Sequence, residues 1–156
     1  SNALNDFDHS GAHRFIKWDL AQLAWIKPHI DSIDNGNKKS LLQYFHNLYG
    51  QEVAPLLDRL RKSVIYNDAN DYNVLVKNSG DRPVVPGVID FGDAVYSHTI
   101  NELAIALAYS LMHKPDPLSA AFHMVKGYHT IFPLKDEELR VLFPLVASRL
   151  MSSVFC

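Results

Sequence analysis

The 156 residues set 15 Lys and Arg against 17 Asp and Glu, for a formal net charge of −2 and a pI near 6.4. That balance offers no electrostatic footprint for nucleic acid or an anionic membrane. No run approaches the ~20 apolar residues of a membrane-crossing helix, and the expectation is a protein without a signal peptide. A hydrophobic content of 47% is ample for one core, and the only cysteine, Cys156, excludes an intramolecular disulfide or a cysteine-based zinc site. Together these point to the cytoplasm.

In chain order, Ser1-Asn2-Ala3 reads as an expression-tag remnant, and residues 4–17 as a polar, poorly ordered lead-in. Trp18 to Ile33 carries closely spaced apolar residues suited to a buried helical segment, broken or kinked at Pro28. Asp34-Asn35-Gly36-Asn37 reads as a turn. Ser40 to Lys62 shows a helical stripe (Leu41, Leu42, Phe45, Leu48, Tyr49, Val53, Leu56, Leu57, Leu60) interrupted near Gly50 and Pro55. Three short β-branched strands are expected next: Val64 to Tyr66, Val74 to Lys77 and Val84 to Ile89. Turn chemistry at Asn78-Ser79-Gly80-Asp81-Arg82-Pro83 lies between the last two. Thr99-Ile100-Asn101-Glu102 reads as a capping box opening an apolar helix that ends at Lys114-Pro115-Asp116-Pro117. Two further helices are expected over Leu118 to Phe132 and Lys135 to Val154, the second with Asp136, Glu137 and Glu138 in its first turn. The fold class is mostly α with a small β-hairpin.

The chemistry-bearing residues sit at the strand ends. A hairpin of the last two strands brings Asn73, at one strand's start, beside Asp90, at its partner's end, with Asp68 close by. Such a set of hard oxygen ligands suits Mg²⁺ carrying phosphates. Asp68 and Asn73 form D-x-x-x-x-N, and Asp90-Phe91-Gly92 is D-F-G, the two elements by which kinase-type phosphotransferases position a hydroxyl and hold metal. The alternatives are local. Asp68 could serve an Asx-turn among Asn67, Asn70 and Asp71, and Asp71 and Asp93 could be solvated turn residues. The segment from Asp68 fails the EF-hand template, because Tyr72 replaces an oxygen ligand and the required Gly and Glu are absent.

The run Asn67-Asp68-Ala69-Asn70-Asp71-Tyr72-Asn73-Val74-Leu75-Val76 with Gly87-Val88-Ile89-Asp90-Phe91-Gly92-Asp93 resembles the C-terminal catalytic lobe of the aminoglycoside phosphotransferase and choline kinase family. It is closest to the hydroxylysine kinase and homoserine-kinase-like branch. Trp18-Asp19-Leu20-Ala21 and Glu102-Leu103-Ala104 look like further landmarks, so the resemblance runs from Trp18 to Cys156. It implies a protein-kinase-like C-terminal lobe over 18–156, with Asp68 as catalytic base and Asn73 and Asp90 as Mg²⁺ ligands. Glu102 would brace the loop, and ATP or GTP would be the phosphate donor. Asp71, Asp93 and Tyr96 are candidate substrate contacts, while Trp18, Trp25 and Tyr109 are further candidates to line a substrate pocket. The family's His before the catalytic Asp is Tyr66 here, a departure that bears on loop geometry more than on reaction type.

No glycine-rich phosphate loop or strand lysine occurs, so the expectation is an excised lobe that lacks its N-terminal partner, inactive alone. The expected function of the parent is transfer of the γ-phosphate to a hydroxyl of a small amino-bearing metabolite. The alternative is a non-catalytic, pseudokinase-like binding module, motivated by Tyr66 and the missing lobe.

Overall fold

A computed structural model describes residues 2–80 and 82–155. Ser1 of the expected tag remnant, Asp81 of the expected turn and the lone Cys156 lie outside the described residues. Among the described residues there are five α-helices and two antiparallel two-stranded sheets, and the helices and the β2–β3 hairpin follow the apolar patterning: α1 (Ile26–Asp31), α2 (Gly36–Leu48), β1 (Lys62–Ile65), β2 (Val74–Ser79), β3 (Arg82–Val88), β4 (Val95–His98), α3 (Ile100–Ser110), α4 (Pro117–Ile131) and α5 (Asp136–Ser153). No helix among them is long and apolar enough to cross a membrane.

The core lies where α3 and α5 pack against α1, α2 and the turn that precedes α1. Leu20, Ile26, Ile30, Val53, Ile100, Ile105, Leu107 and Leu145 are fully enclosed. Each such side chain is worth roughly 1.5–3 kcal/mol of apolar burial. Hence α3, the most apolar helix, sits centrally.

Several boundaries differ from the sequence expectation. Pro28 does not break the first helix. It falls in the opening turn of α1, where its missing N–H costs no hydrogen bond. The preceding residues Leu20–Trp25 form a 3-10 turn instead of α-helix. The expected turn at 34–37 opens α2, because Asn35 caps it by accepting from the Lys38 amide at 3.0 Å. The stripe expected to run to Lys62 ends earlier. α2 widens into a π turn at Tyr49–Val53, tightens to 3-10 at Ala54–Arg59, and then enters β1. Burial, helped by nearby Asp19, pushes the Tyr49 hydroxyl up to about 12, so it stays a donor to the Leu20 carbonyl at 2.8 Å.

β2 and β3 form the expected hairpin, with Val74 opposite Val88 and an irregularity between Leu75 and Lys77. Gly80 takes the left-handed conformation at its tip (φ 64°), which only a residue without Cβ adopts freely. β4 was not foreseen. It pairs with β1, Ile65 opposite Val95 and Lys62 opposite His98, and anchors the far side of the loop. The lead-in also departs from expectation: Ile16 packs with Ile65 and Val95, and Trp18 packs against that group. Arg14 donates to the carbonyls of Gly92 and Ala94. The lead-in is therefore part of the folded body.

Candidate active site

The site forms where β1 ends, because the backbone turns there and is held from below. Asn67 is fully buried with φ 66°, a left-handed conformation that Asn tolerates better than most residues. Its side-chain amide has no partner among the described residues. Glu102 Oε2, from the first turn of α3, accepts the amides of Tyr66 at 2.7 Å and Asn67 at 3.3 Å. Burial pushes the Glu102 carboxyl up, and the two amides pull it back. Glu102 thus ties α3 to the loop rather than closing a capping box. Thr99 makes no cap bond and its hydroxyl meets Ser63 at 3.1 Å instead.

Past this brace the chain presents Asp68. Its Oδ2 accepts from Asn70 Nδ2 at 3.0 Å and Asn73 Nδ2 at 2.7 Å, and its Oδ1 lies 3.4 Å from Arg149 Nη2. Asn70 Oδ1 caps the following turn through the amides of Tyr72 and Asn73, the turn-forming role that its residue type predicts. Burial raises the Asp68 pKa above the ordinary value. The amide of Asn70, the charge of Arg149 and the amide of Asn73 oppose that rise, and the charge of Asp93 adds to it.

The hairpin joins Asn73 to the D-F-G segment through Ile89 N to Asn73 O at 3.0 Å. Asp90 follows with φ 60°, and its Oδ1 accepts from Gly92 N at 3.0 Å. A Cβ on Gly92 would stand 2.9 Å from that oxygen, so a larger residue there would push the Asp90 carboxylate aside. Tyr66 locks the two segments together. Its hydroxyl donates to the Ile89 carbonyl, and its ring meets Phe91 edge-on at 5.0 Å. Burial raises the Tyr66 pKa, with help from the charges of Asp68, Asp90 and Glu102, so the hydroxyl remains protonated.

These residues fit Mg²⁺ chemically. The Asn73 amide nitrogen is committed to Asp68, so its carbonyl oxygen is the end left for a cation. Asp90 is exposed, and its Oδ2 accepts nothing from the described residues. No three His, Cys, Asp or Glu side chains gather into a metal cage among the described residues. Mg²⁺ sites completed by water and substrate phosphates need only one or two protein carboxylates.

Beside Asp68 opens a cavity of about 190 Å³ lined by Trp18, Asp68, Asp93, Tyr109, Arg149 and Ser153. Asp93 Oδ2 accepts from Trp18 Nε1 at 3.0 Å. Asp71 is exposed and lines a separate cavity with Tyr109 and Lys114. Tyr96 lines neither and stacks on His13 with ring centres 4.5 Å apart. Trp25 packs against the main core and donates to the Lys17 carbonyl, so of the four aromatic residues singled out, Trp18 and Tyr109 reach the cavity beside Asp68.

The phosphotransferase enzyme family model matches residues 3–131. The chain belongs to this family. It is 27% identical over 161 residues to hydroxylysine kinase of Mus musculus, a match covering 97% of this chain and 43% of that protein. Over 142 residues it is 30% identical to hydroxylysine kinase of Danio rerio, covering 90% of this chain and 40% of that protein. Hydroxylysine kinase of Bos taurus is 29% identical over 161 residues, with 97% and 43% covered. The chain spans about two fifths of the length of the curated relatives it matches. No solved structure matches it.

In this family member two site-shaping residues escaped the sequence reading. Asp19, read only as part of a landmark, is buried and caps the turn after it by accepting from the Ala21 amide. The same Oδ1 accepts from Ser97 Oγ at 2.6 Å and Asn101 Nδ2 at 3.3 Å, fixing the segment that carries Trp18 to β4 and α3. Arg149 is 6% exposed and lies within the helix expected over Lys135 to Val154. The available signal was a polar stripe, Ser148, Arg149 and Ser152, on a face otherwise built from Val141, Leu145 and Met151. A buried polar stripe needs partners.

Proposed function

We propose that this chain is the catalytic lobe of a small-molecule kinase that transfers the γ-phosphate of ATP or GTP to a hydroxyl of a small amino-bearing metabolite. One observation carries the reading. The Asp68 carboxylate is held by the Asn70 and Asn73 amides at the wall of a cavity, while the hairpin bond between Ile89 N and Asn73 O ties the segment that carries Asp90 to Asn73. Asp68 accepts the proton of the acceptor hydroxyl, and the raised pKa makes it a better acceptor than an ordinary aspartate. As the new O–P bond forms, the bond from the γ-phosphorus to the bridging oxygen breaks and nucleoside diphosphate leaves. Asn73 and Asp90 would hold Mg²⁺, which would supply neutralisation of the phosphate charge. Asn70 and Asn73 keep the base oriented through their amides, so positioning and electrostatics account for the chemistry.

The acceptor class draws on the relatives named hydroxylysine kinase. The phosphate-covering loop and strand lysine are assigned to the part of the relatives' length that these 156 residues do not span, and a cytoplasmic setting supplies the nucleotide. The non-catalytic reading rests on Tyr66 and on the missing lobe. The Tyr66 hydroxyl bond to the Ile89 carbonyl gives the loop a scaffold of its own, which answers the first of these in favour of an active enzyme.

The test is calorimetric titration of the full-length protein with ATP and with GTP, with and without Mg²⁺. Phosphotransfer assays on hydroxylysine, homoserine and an aminoglycoside then follow. Metal-dependent nucleotide binding with turnover is expected. Binding without turnover supports the non-catalytic module, and no metal-dependent nucleotide binding sinks the kinase reading.

A further inference from the structure

The cavity beside Asp68 contains more than a base needs. Two carboxylates, Asp68 and Asp93, and one guanidinium, Arg149, face the same space of about 190 Å³, between the side chains of Trp18 and Tyr109. That is smaller than the roughly 300–1,000 Å³ of sites for drug-sized ligands, so the occupant is of amino-acid size rather than an oligosaccharide. Arg149 is the less expected charge. Its side chain is 8% exposed, and it is anchored by the Tyr109 hydroxyl at 3.0 Å, by Asp68 at 3.4 Å and by the Trp18 carbonyl at 3.5 Å. These contacts leave donor capacity on a group with five N–H bonds, and Nε is buried without a partner among the described residues. A buried, incompletely satisfied guanidinium is costly unless something else completes it. Asp93 is complementary. One oxygen accepts from Trp18, and the other accepts nothing from the described residues.

We infer that Arg149 and Asp93 form a clamp for a zwitterionic acceptor, with Arg149 binding an α-carboxylate, Asp93 binding the ammonium group, and the hydroxyl presented to Asp68. This rests on the kinase reading and deepens it, because it makes Arg149 the residue that separates a hydroxy-amino acid from the amino alcohol left when its carboxyl is removed. Planar guanidinium matches carboxylate in a way that an ammonium does not. A site built to bond one substrate group rejects the analogue lacking it strongly, because its own polar atoms are then left unpaired.

The experiment measures kcat/KM of the full-length enzyme for hydroxylysine and homoserine, each against its decarboxylated amine, in the wild type, Arg149→Gln, Arg149→Lys and Asp93→Asn. The wild type should prefer the amino acid by at least ~10²-fold. Arg149→Gln should collapse that ratio toward one, Arg149→Lys should retain part of it, and Asp93→Asn should raise KM for the amino acid far more than it lowers kcat. Equal use of both compounds by the wild type overturns the clamp while leaving the kinase reading standing. So does an Arg149→Gln enzyme that loses both activities in the same proportion, since Arg149 then only positions Asp68. Wild-type enzyme that phosphorylates no hydroxyl compound overturns the kinase reading itself. Should Arg149→Gln fail to fold, the wild-type ratio and Arg149→Lys still decide the matter.

Discussion

Tyr66→Phe removes a single oxygen from the junction between the loop that carries Asp68 and the D-F-G segment. Tyr66 is 4% exposed and packed edge-on against Phe91, so the phenyl group keeps its place and only the hydrogen bond goes. One is lost, that to the Ile89 carbonyl. It is worth about 1 kcal/mol net, and a carbonyl left without its donor costs about 1–3 kcal/mol when no water replaces it. Because Ile89 is 46% exposed, water can reach this edge of the hairpin and the lower end applies. The loss is about 1–2 kcal/mol. At about 3 °C per kcal/mol for a chain of this size, the melting temperature should fall by about 3–6 °C. The hydroxyl holds the residue preceding Asp90, so kcat/KM should fall on the order of tenfold, equivalent to about 1.4 kcal/mol. Thermal denaturation followed by circular dichroism reads the first quantity, and a coupled phosphotransfer assay over a Mg²⁺ series reads the second. A Tyr66→Phe protein with the same melting point, the same rate and the same Mg²⁺ dependence would refute the reasoning. It would show that ring packing alone holds the two segments.

Other consequences follow from the same contacts. Asp68→Asn should lower turnover by at least ~10²-fold, the usual contribution of a general base. It should leave the melting temperature unchanged or raised at neutral pH, because burial already disfavours the charged form. The raised pKa means the folded chain holds the Asp68 proton more tightly than the unfolded chain does. As pH falls through the folded value, this group therefore adds stability while the base is lost, and the acid limb of kcat/KM should lie above the range of an ordinary aspartate. A pH profile with its limb at or below that range would contradict it. Gly92→Ala places a Cβ against Asp90 Oδ1 and should raise the Mg²⁺ concentration needed for half-maximal activity severalfold, with stability changed by less than about 1 kcal/mol. Glu102→Ala leaves the Tyr66 and Asn67 amides without their carboxylate and should cost about 2–4 kcal/mol in urea denaturation.

The sequence by itself determined what is local. The spacing of Asp68, Asn73 and Asp90, the hairpin that joins the last two, and the apolar helices α3, α4 and α5 are legible because side-chain period and turn chemistry act over a few residues. The family follows from the same run. Tertiary structure decided what couples distant segments. β1 pairs with β4 across the whole β2–β3 hairpin, and four residues with one strong alternation cannot name their partner. Thr99 and Glu102 have the sequence of a capping box, yet Glu102 found better donors in the loop amides, and Thr99 turned to Ser63. Asp19 and Arg149 are unremarkable by neighbourhood. Each acquires its partners only when folding buries it, because a buried charge must be met by groups that chain order does not reveal. The site is half local motif and half assembly, and Arg149 belongs to the second half.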